Sequence, residues 1–97
     1  MDAQNDPGLL LLVSLAEGPK HGHAMLQDVE RFAGVRLGPG TLYGALSRLE
    51  ERGEVEALAP EGRRRPYRLT DAGRATLGRR LDAMRHIIRA GLERAEP

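Results

Sequence analysis

The apolar positions fall into four blocks with helical spacing, broken by one short stretch that reads as strands. The first block is continuous. Leu9, Leu10, Leu11, Leu12 and Val13 follow Asp6-Pro7, an acid able to cap a helix and a proline suited to its first position. A helix is predicted from there to about Glu17, stopped by Gly18-Pro19. Because it is apolar all round, it needs cover on more than one side. Its own domain supplies one side, and a second subunit is expected on the other, with Leu10 in the contact. In the second block Met25, Val29, Phe32 and Ala33 stand at i, i+4, i+7 and i+8, one face of a helix over residues 22–33. Gln27, Asp28, Glu30 and Arg31 are expected to point away from that face, and Gly34 ends the helix. A short link, residues 35–38, then forces the next helix to pack closely on this one.

The third helix is predicted over residues 39–52, from Pro39 to a stop at Gly53. Leu42, Leu46 and Leu49 form its buried stripe, with Ala45 beside them. The opposite face carries Gly40, Gly44 and Ser47, flanked by Thr41, Tyr43 and Arg48. Glycine inside a helix costs about 1 kcal/mol relative to alanine, so two of them on one face suggest a helix built for close approach to another surface. Residues 54–69 read as a hairpin: a weak strand over 54–59, a turn at Pro60-Glu61-Gly62, and a return strand over 65–69 with Tyr67 and Leu69 on one face. Pro66 predicts that this return strand is an edge strand.

Thr70 is a good cap for a last helix running to about Ala95. Leu77, Leu81, Met84, Ile88 and Leu92 recur at steps of four, three, four and four, and Ile87 widens the stripe. At 1.5 Å per residue such a helix spans roughly 37 Å, more than the rest of so small a chain can cover. Its far half is expected to pack on a partner chain. The fold class is therefore mainly α with a small β-hairpin (α+β): a winged helix-turn-helix over residues 1–69 and a C-terminal dimerisation helix over residues 70–97.

The net charge of the 97-residue chain is only +1. Its distribution is more informative, because the segment from Arg63 onward holds ten arginines against four acids. That asymmetry suggests a basic surface. With cysteine absent, disulfides and thiolate metal sites are excluded, and the apolar run at Leu9 is too short to cross a bilayer. A cytoplasmic protein with no membrane contact is expected. Neither a nucleophile-elbow nor a phosphate-loop motif is present, so an enzyme is not expected. His21 and His23, with His86 or Asp28 as a third ligand, are a weak metal signal; no metal and no cofactor are expected.

Helix, helix, short link, helix, hairpin and long helix is the order of a helix-turn-helix with a wing. The small polar face of the third helix suits a major groove of double-stranded DNA, with Gly40, Thr41, Tyr43, Gly44, Ser47 and Arg48 as the contact set. Arg63, Arg64 and Arg65, at or just past the wing tip, suit the phosphate backbone or a minor groove. The alternative is a winged helix that binds protein instead of DNA; such a module has no need of the three arginines.

Several runs of residues carry a family resemblance. They are Glu17 to Gly22 (Glu-Gly-Pro-Lys-His-Gly), Gly40-Thr41-Leu42-Tyr43, Arg48-Leu49-Glu50, and Arg65 to Thr70 (Arg-Pro-Tyr-Arg-Leu-Thr). Over about residues 9–80 the chain resembles the PadR family of bacterial transcriptional regulators, in its short branch with a single C-terminal helix. The resemblance implies a homodimeric repressor that binds an inverted repeat and releases it on meeting a small-molecule effector of unknown identity. It also implies DNA contacts from Tyr43, its helix neighbours and the wing. The dimer is implied to form through the last helix; on the spacing above, its expected contact residues are Leu77, Leu81, Met84, Ile87, Ile88 and Leu92, joined by Leu10 of the first helix. Two residues depart from the family's pattern: His23, where tyrosine is usual, and Glu54, where an apolar residue is usual. With no tryptophan and one phenylalanine, an aromatic drug-binding pore between subunits is not supported.

Overall fold

The computed structural model describes residues 6–96. Its elements are α1 (Pro7–Leu15), β1 (Lys20–His21), α2 (Gly22–Ala33), α3 (Pro39–Glu51), β2 (Val55–Ala57), β3 (Pro66–Leu69) and α4 (Asp71–Ala95). The caps follow from the sequence. Asp6 Oδ1 accepts from the Leu9 amide at 3.1 Å, and Thr70 Oγ1 accepts from the Gly73 amide at 3.0 Å, each satisfying a donor that the first turn leaves open. At the end of α3, Gly53 takes a left-handed φ of 72°. The Gly53 amide donates to Glu50 O at 2.9 Å and the Glu54 amide to Leu49 O at 2.9 Å, the paired closure of a Schellman motif.

The leucine run of α1 is the middle of the molecule. Leu9, Leu10, Leu11, Leu12 and Leu15 are all buried, and α1 is packed by α2, α3, α4 and β3 of the same chain. Cover on every side thus comes from within, and no second subunit is required for it. Leu10, expected at a dimer contact, belongs to this core, as does Leu77 of α4. Met25, Val29, Leu42, Ala45, Leu46, Leu49, Val55 and Leu69 complete it.

Two expectations for α2 are corrected. Phe32 is 44% exposed, while Ala33 beside it still packs against the core. Asp28 turns inward: its Oδ2 accepts from the buried Ser14 hydroxyl at 2.8 Å and lies 3.5 Å from Lys20 Nζ, while Oδ1 meets Arg31 at 3.2 Å. Lys20 Nζ also donates to the Ser14 carbonyl oxygen.

The hairpin expectation is corrected as well. The sheet is three-stranded and antiparallel, in the order β1-β3-β2, so the strand holding Pro66 is central. Lys20 pairs with Tyr67 and His21 with Pro66, while Val55, Glu56 and Ala57 pair with Leu69, Arg68 and Tyr67. Pro66 is tolerated because it is the first residue of the strand, where its carbonyl still accepts from the Leu58 amide at 2.8 Å. The turn lies one step later than the sequence suggests. Glu61 and Arg64 exchange backbone hydrogen bonds of 2.7 and 3.1 Å, leaving a two-residue loop of Gly62 and Arg63. Gly62 has φ 64°, the positive value that a hairpin turn asks of its first central residue.

Candidate nucleic-acid interface

α3 lies across the outside of the domain with its leucines inward. Leu42, Ala45, Leu46 and Leu49 are buried, whereas Gly40, Thr41, Tyr43, Ser47 and Arg48 are exposed and Gly44 is half-buried. At 100° per residue, Gly40, Gly44 and Ser47 form the line opposite the core. Side chains of the same chain do not dictate the two glycines. A Cβ at Gly40 would meet nothing within 4 Å, and one at Gly44 only Arg48 Nη1 at 3.6 Å.

Glu51 continues that line one turn further and is exposed. It is absent from the contact set expected from sequence, although its spacing of four from Ser47 is plain there. A carboxylate here can accept from a cytosine amino group and repels phosphate.

Tyr43 has a defined seat. It is 52% exposed, yet its ring lies over the start of α2. A Cβ at Gly22 would stand 2.6 Å from the Tyr43 hydroxyl oxygen and 3.0 Å from Leu42 Cδ2. Gly22 thus makes room for the Tyr43 ring, a packing requirement that sequence reasoning misses. Its signal is a glycine opening a helix directly after His21, but only the packing shows what the missing side chain makes room for. Tyr67 of β3 belongs to the same cluster. Burial raises the pKa of its phenol, and the negative charge of Glu50 raises it further.

The wing brings Arg63, Arg64 and Arg65 together, all exposed. Arg63 occupies the loop, Arg64 pairs back to Glu61, and Arg65 Nη1 donates to the Leu58 carbonyl at 2.9 Å. Behind the tip, Arg68 grips Glu56 through two hydrogen bonds of 3.1 and 3.2 Å. This contact raises the Arg68 pKa through the Glu56 hydrogen bond and charge. His21 lies 3.5 Å from Glu61, His86 lies 3.4 Å from Asp82 on α4, and Asp28 is held by Ser14, so the residues weighed as metal ligands sit in separate contacts. No group of three potential metal ligands occurs among the described residues.

The sequence-predicted dimer residues divide into two sets. Leu77 is buried and Met84 half-buried against the core. Leu81, Ile87, Ile88 and Leu92 are 43, 70, 59 and 64% exposed, an apolar stripe on the part of α4 that runs beyond the body. The molecule accordingly measures 56 × 26 × 21 Å.

A helix pair whose second helix presents a small polar face, followed by a hairpin and closed by a strand before the pair, defines a winged-helix domain. Among proteins of that class, the chain belongs to the transcriptional regulator PadR-like family, which it matches over residues 11–79. It is 46% identical over 93 residues to an uncharacterized 37.1 kDa protein in transposon TN4556 of Streptomyces fradiae, covering 96% of this chain and 27% of that one. It is 40% identical over 84 residues to a transcriptional regulator of Mycobacterium tuberculosis, covering 84% and 78% of the two chains. The crystal structure of a PadR family transcription regulator from Clostridium difficile R20291 shares the fold, with a TM-score of 0.82 at 21% identity over 93% of this chain and 98% of that one. The chain spans about a quarter of the length of the Streptomyces relative. No helix among the described residues is long and apolar enough to cross a membrane.

Proposed function

We propose that two copies of this chain, joined through α4, bind an inverted repeat in duplex DNA and repress transcription by occupying it, in the cytoplasmic compartment that holds the DNA. Residues up to 69 form the reading unit, and the helix after Thr70 holds the pair together. One observation carries this reading. The outward line of α3 is Gly40, Gly44 and Ser47, with no side chain of the same chain over the two glycines except the end of Arg48. A helix with so low a profile can sink between two phosphate strands, while Thr41, Tyr43 and Arg48 on its flanks reach sugar–phosphate and base edges. Arg63, Arg64 and Arg65 supply positive charge to the adjacent backbone. Exposed Leu81, Ile87, Ile88 and Leu92 are the surface a second copy would cover, and two-fold pairing presents two reading helices to symmetric half-sites. The reading needs no effector.

The test is a pair of variants, Tyr43→Ala and Ser47→Ala, assayed against a duplex site recovered by selection from random sequence. Both should weaken binding by about tenfold or more, the worth of one good contact, with unchanged sedimentation. Wild-type affinity in both would remove α3 as the reading element.

A further inference from the structure

Glu54 is a buried acid that the reading of DNA leaves without a role. It is 9% exposed and stands between the end of α3 and the start of β2. One carboxylate oxygen, Oε2, accepts from the Thr76 hydroxyl of α4 at 2.8 Å, and Thr76 in turn accepts from Arg79 at 3.1 Å. The other oxygen, Oε1, is buried with no hydrogen-bond partner among the described residues; the nearest charge is Arg52 Nη1 at the cap of α3, 3.9 Å away. The backbone makes the same connection. The Thr70 amide donates to Glu54 O at 3.1 Å, and the Thr70 hydroxyl donates to Gly53 O at 2.6 Å. α4 approaches so closely that a Cβ on Gly73 would fall 2.0 Å from Glu54 O.

We infer that Glu54 is a positioning residue: its carboxylate, bonded to Thr76 of α4 and facing Arg52 at the cap of α3, sets the angle between reading helix and dimer helix, and so the half-site spacing the dimer accepts. This inference rests on the proposed function.

Stability does not explain an acid here. A buried carboxylate with an unsatisfied oxygen costs free energy, and exchanging buried charged groups for well-packed apolar ones is often neutral or stabilising. Leverage does explain it. The 25 residues of α4 act as an arm roughly 37 Å long. A tilt of about 5° at its root moves the far end by about 3 Å, close to the ~3.4 Å that one base pair adds to a site. Small errors at Glu54 are therefore magnified along the arm into displacements of the reading helices comparable with the rise of one base pair, which also turns a half-site by roughly 35°.

The experiment measures binding of wild type, Glu54→Leu, Glu54→Gln and Thr76→Val to inverted repeats that share half-sites and differ by single base pairs in the spacer. Denaturant midpoint and sedimentation are recorded for each. Glu54→Leu and Thr76→Val are expected to remain folded and dimeric, to keep wild-type affinity for a single half-site, and to lose about tenfold of the preference for the best spacer, as for one charged hydrogen bond. Glu54→Gln, which keeps an acceptor for Thr76, is expected to fall between them and wild type. An unchanged spacer profile in folded Thr76→Val and Glu54→Gln overturns the inference and leaves the proposed function standing, whatever happens to the folding of Glu54→Leu. Wild type that binds none of the duplexes overturns both.

Discussion

Gly73 is the position where the packing of α4 makes its sharpest demand. Alanine there would place a methyl carbon 2.0 Å from Glu54 O, 2.8 Å from Leu69 Cδ1 and 2.9 Å from the Glu54 carbonyl carbon. Two of those three atoms are backbone, fixed by the α3 stop and by the pairing of Val55 with Leu69, so the helix itself must retreat by roughly 1 Å or more to restore ordinary contact. That movement breaks the Thr70 amide to Glu54 O and Thr70 hydroxyl to Gly53 O hydrogen bonds. Each is worth about 1 kcal/mol, and overpacking adds roughly 1–3 kcal/mol. Against this, alanine gains up to about 1 kcal/mol of helix propensity. Gly73→Ala should therefore lose about 2–4 kcal/mol, a large share of the roughly 5–15 kcal/mol that holds a domain folded. Gly78→Ala is the control. It lies in the same helix with nothing within 4 Å of the added carbon, and should gain about 0.5–1 kcal/mol. Urea titration at one fixed protomer concentration reads both through the shift of midpoint at constant slope. If Gly73→Ala matched or exceeded wild type, the close approach of α4 to Glu54 would be wrong.

Three further outcomes follow from the same contacts. Burial acts to raise the Asp28 pKa, but the Ser14 and Arg31 hydrogen bonds and the Lys20 charge outweigh it and the pKa is lowered. Its contribution is thus present above the unfolded value near 3.8 and is lost as pH falls through the folded value. The gap in urea midpoint between wild type and Asp28→Asn should accordingly be open at pH 7 and close below about pH 4; a gap independent of pH would contradict this. Arg63→Ala should lower the slope of log affinity against log salt by about 1.8 for a dimer, 0.9 for each phosphate no longer neutralised, without altering base preference; an unchanged slope would take the wing tip off the DNA. Ile88→Asp removes an apolar side chain from each half of a two-fold interface and should weaken the dimer by at least about 3 kcal/mol, more than a hundredfold in dissociation constant. Sedimentation as a stable dimer would place the interface elsewhere.

Which parts of this fold can be read from the sequence depends on whether the cause is local. The stripes of α3 and α4, the cap at Thr70 and the stop at Gly53 are visible because helical period and turn chemistry act within a few residues. β1 is not visible, since two residues have no period, and without β1 the proline of β3 points to an edge instead of the centre. The leucine run of α1 tells that the helix is surrounded but not by what. A partner and the rest of the chain leave the same pattern, and here Leu10 and its neighbours are covered from within. Asp28 looks solvated in the sequence because its partner Ser14 lies on another helix, 14 residues back along the chain. Phe32 looks buried because spacing does not report where the core ends. The outward face of α3 is legible for the opposite reason: small residues there answer to nothing in the same chain.

The least legible residues are the ones that join α3 to α4. Glu54 breaks the apolar pattern that its position calls for, and Gly73 looks like a poor choice for a first helical turn. Each makes sense only beside the other. The missing side chain of Gly73 lets α4 rest on the Glu54 carbonyl, and the Glu54 side chain then reaches Thr76 one turn further along. Local propensity is sacrificed twice at a single joint. That is the expected pattern when the quantity being held is an angle between two elements, because an angle, unlike a stability, is not improved by making either element better on its own.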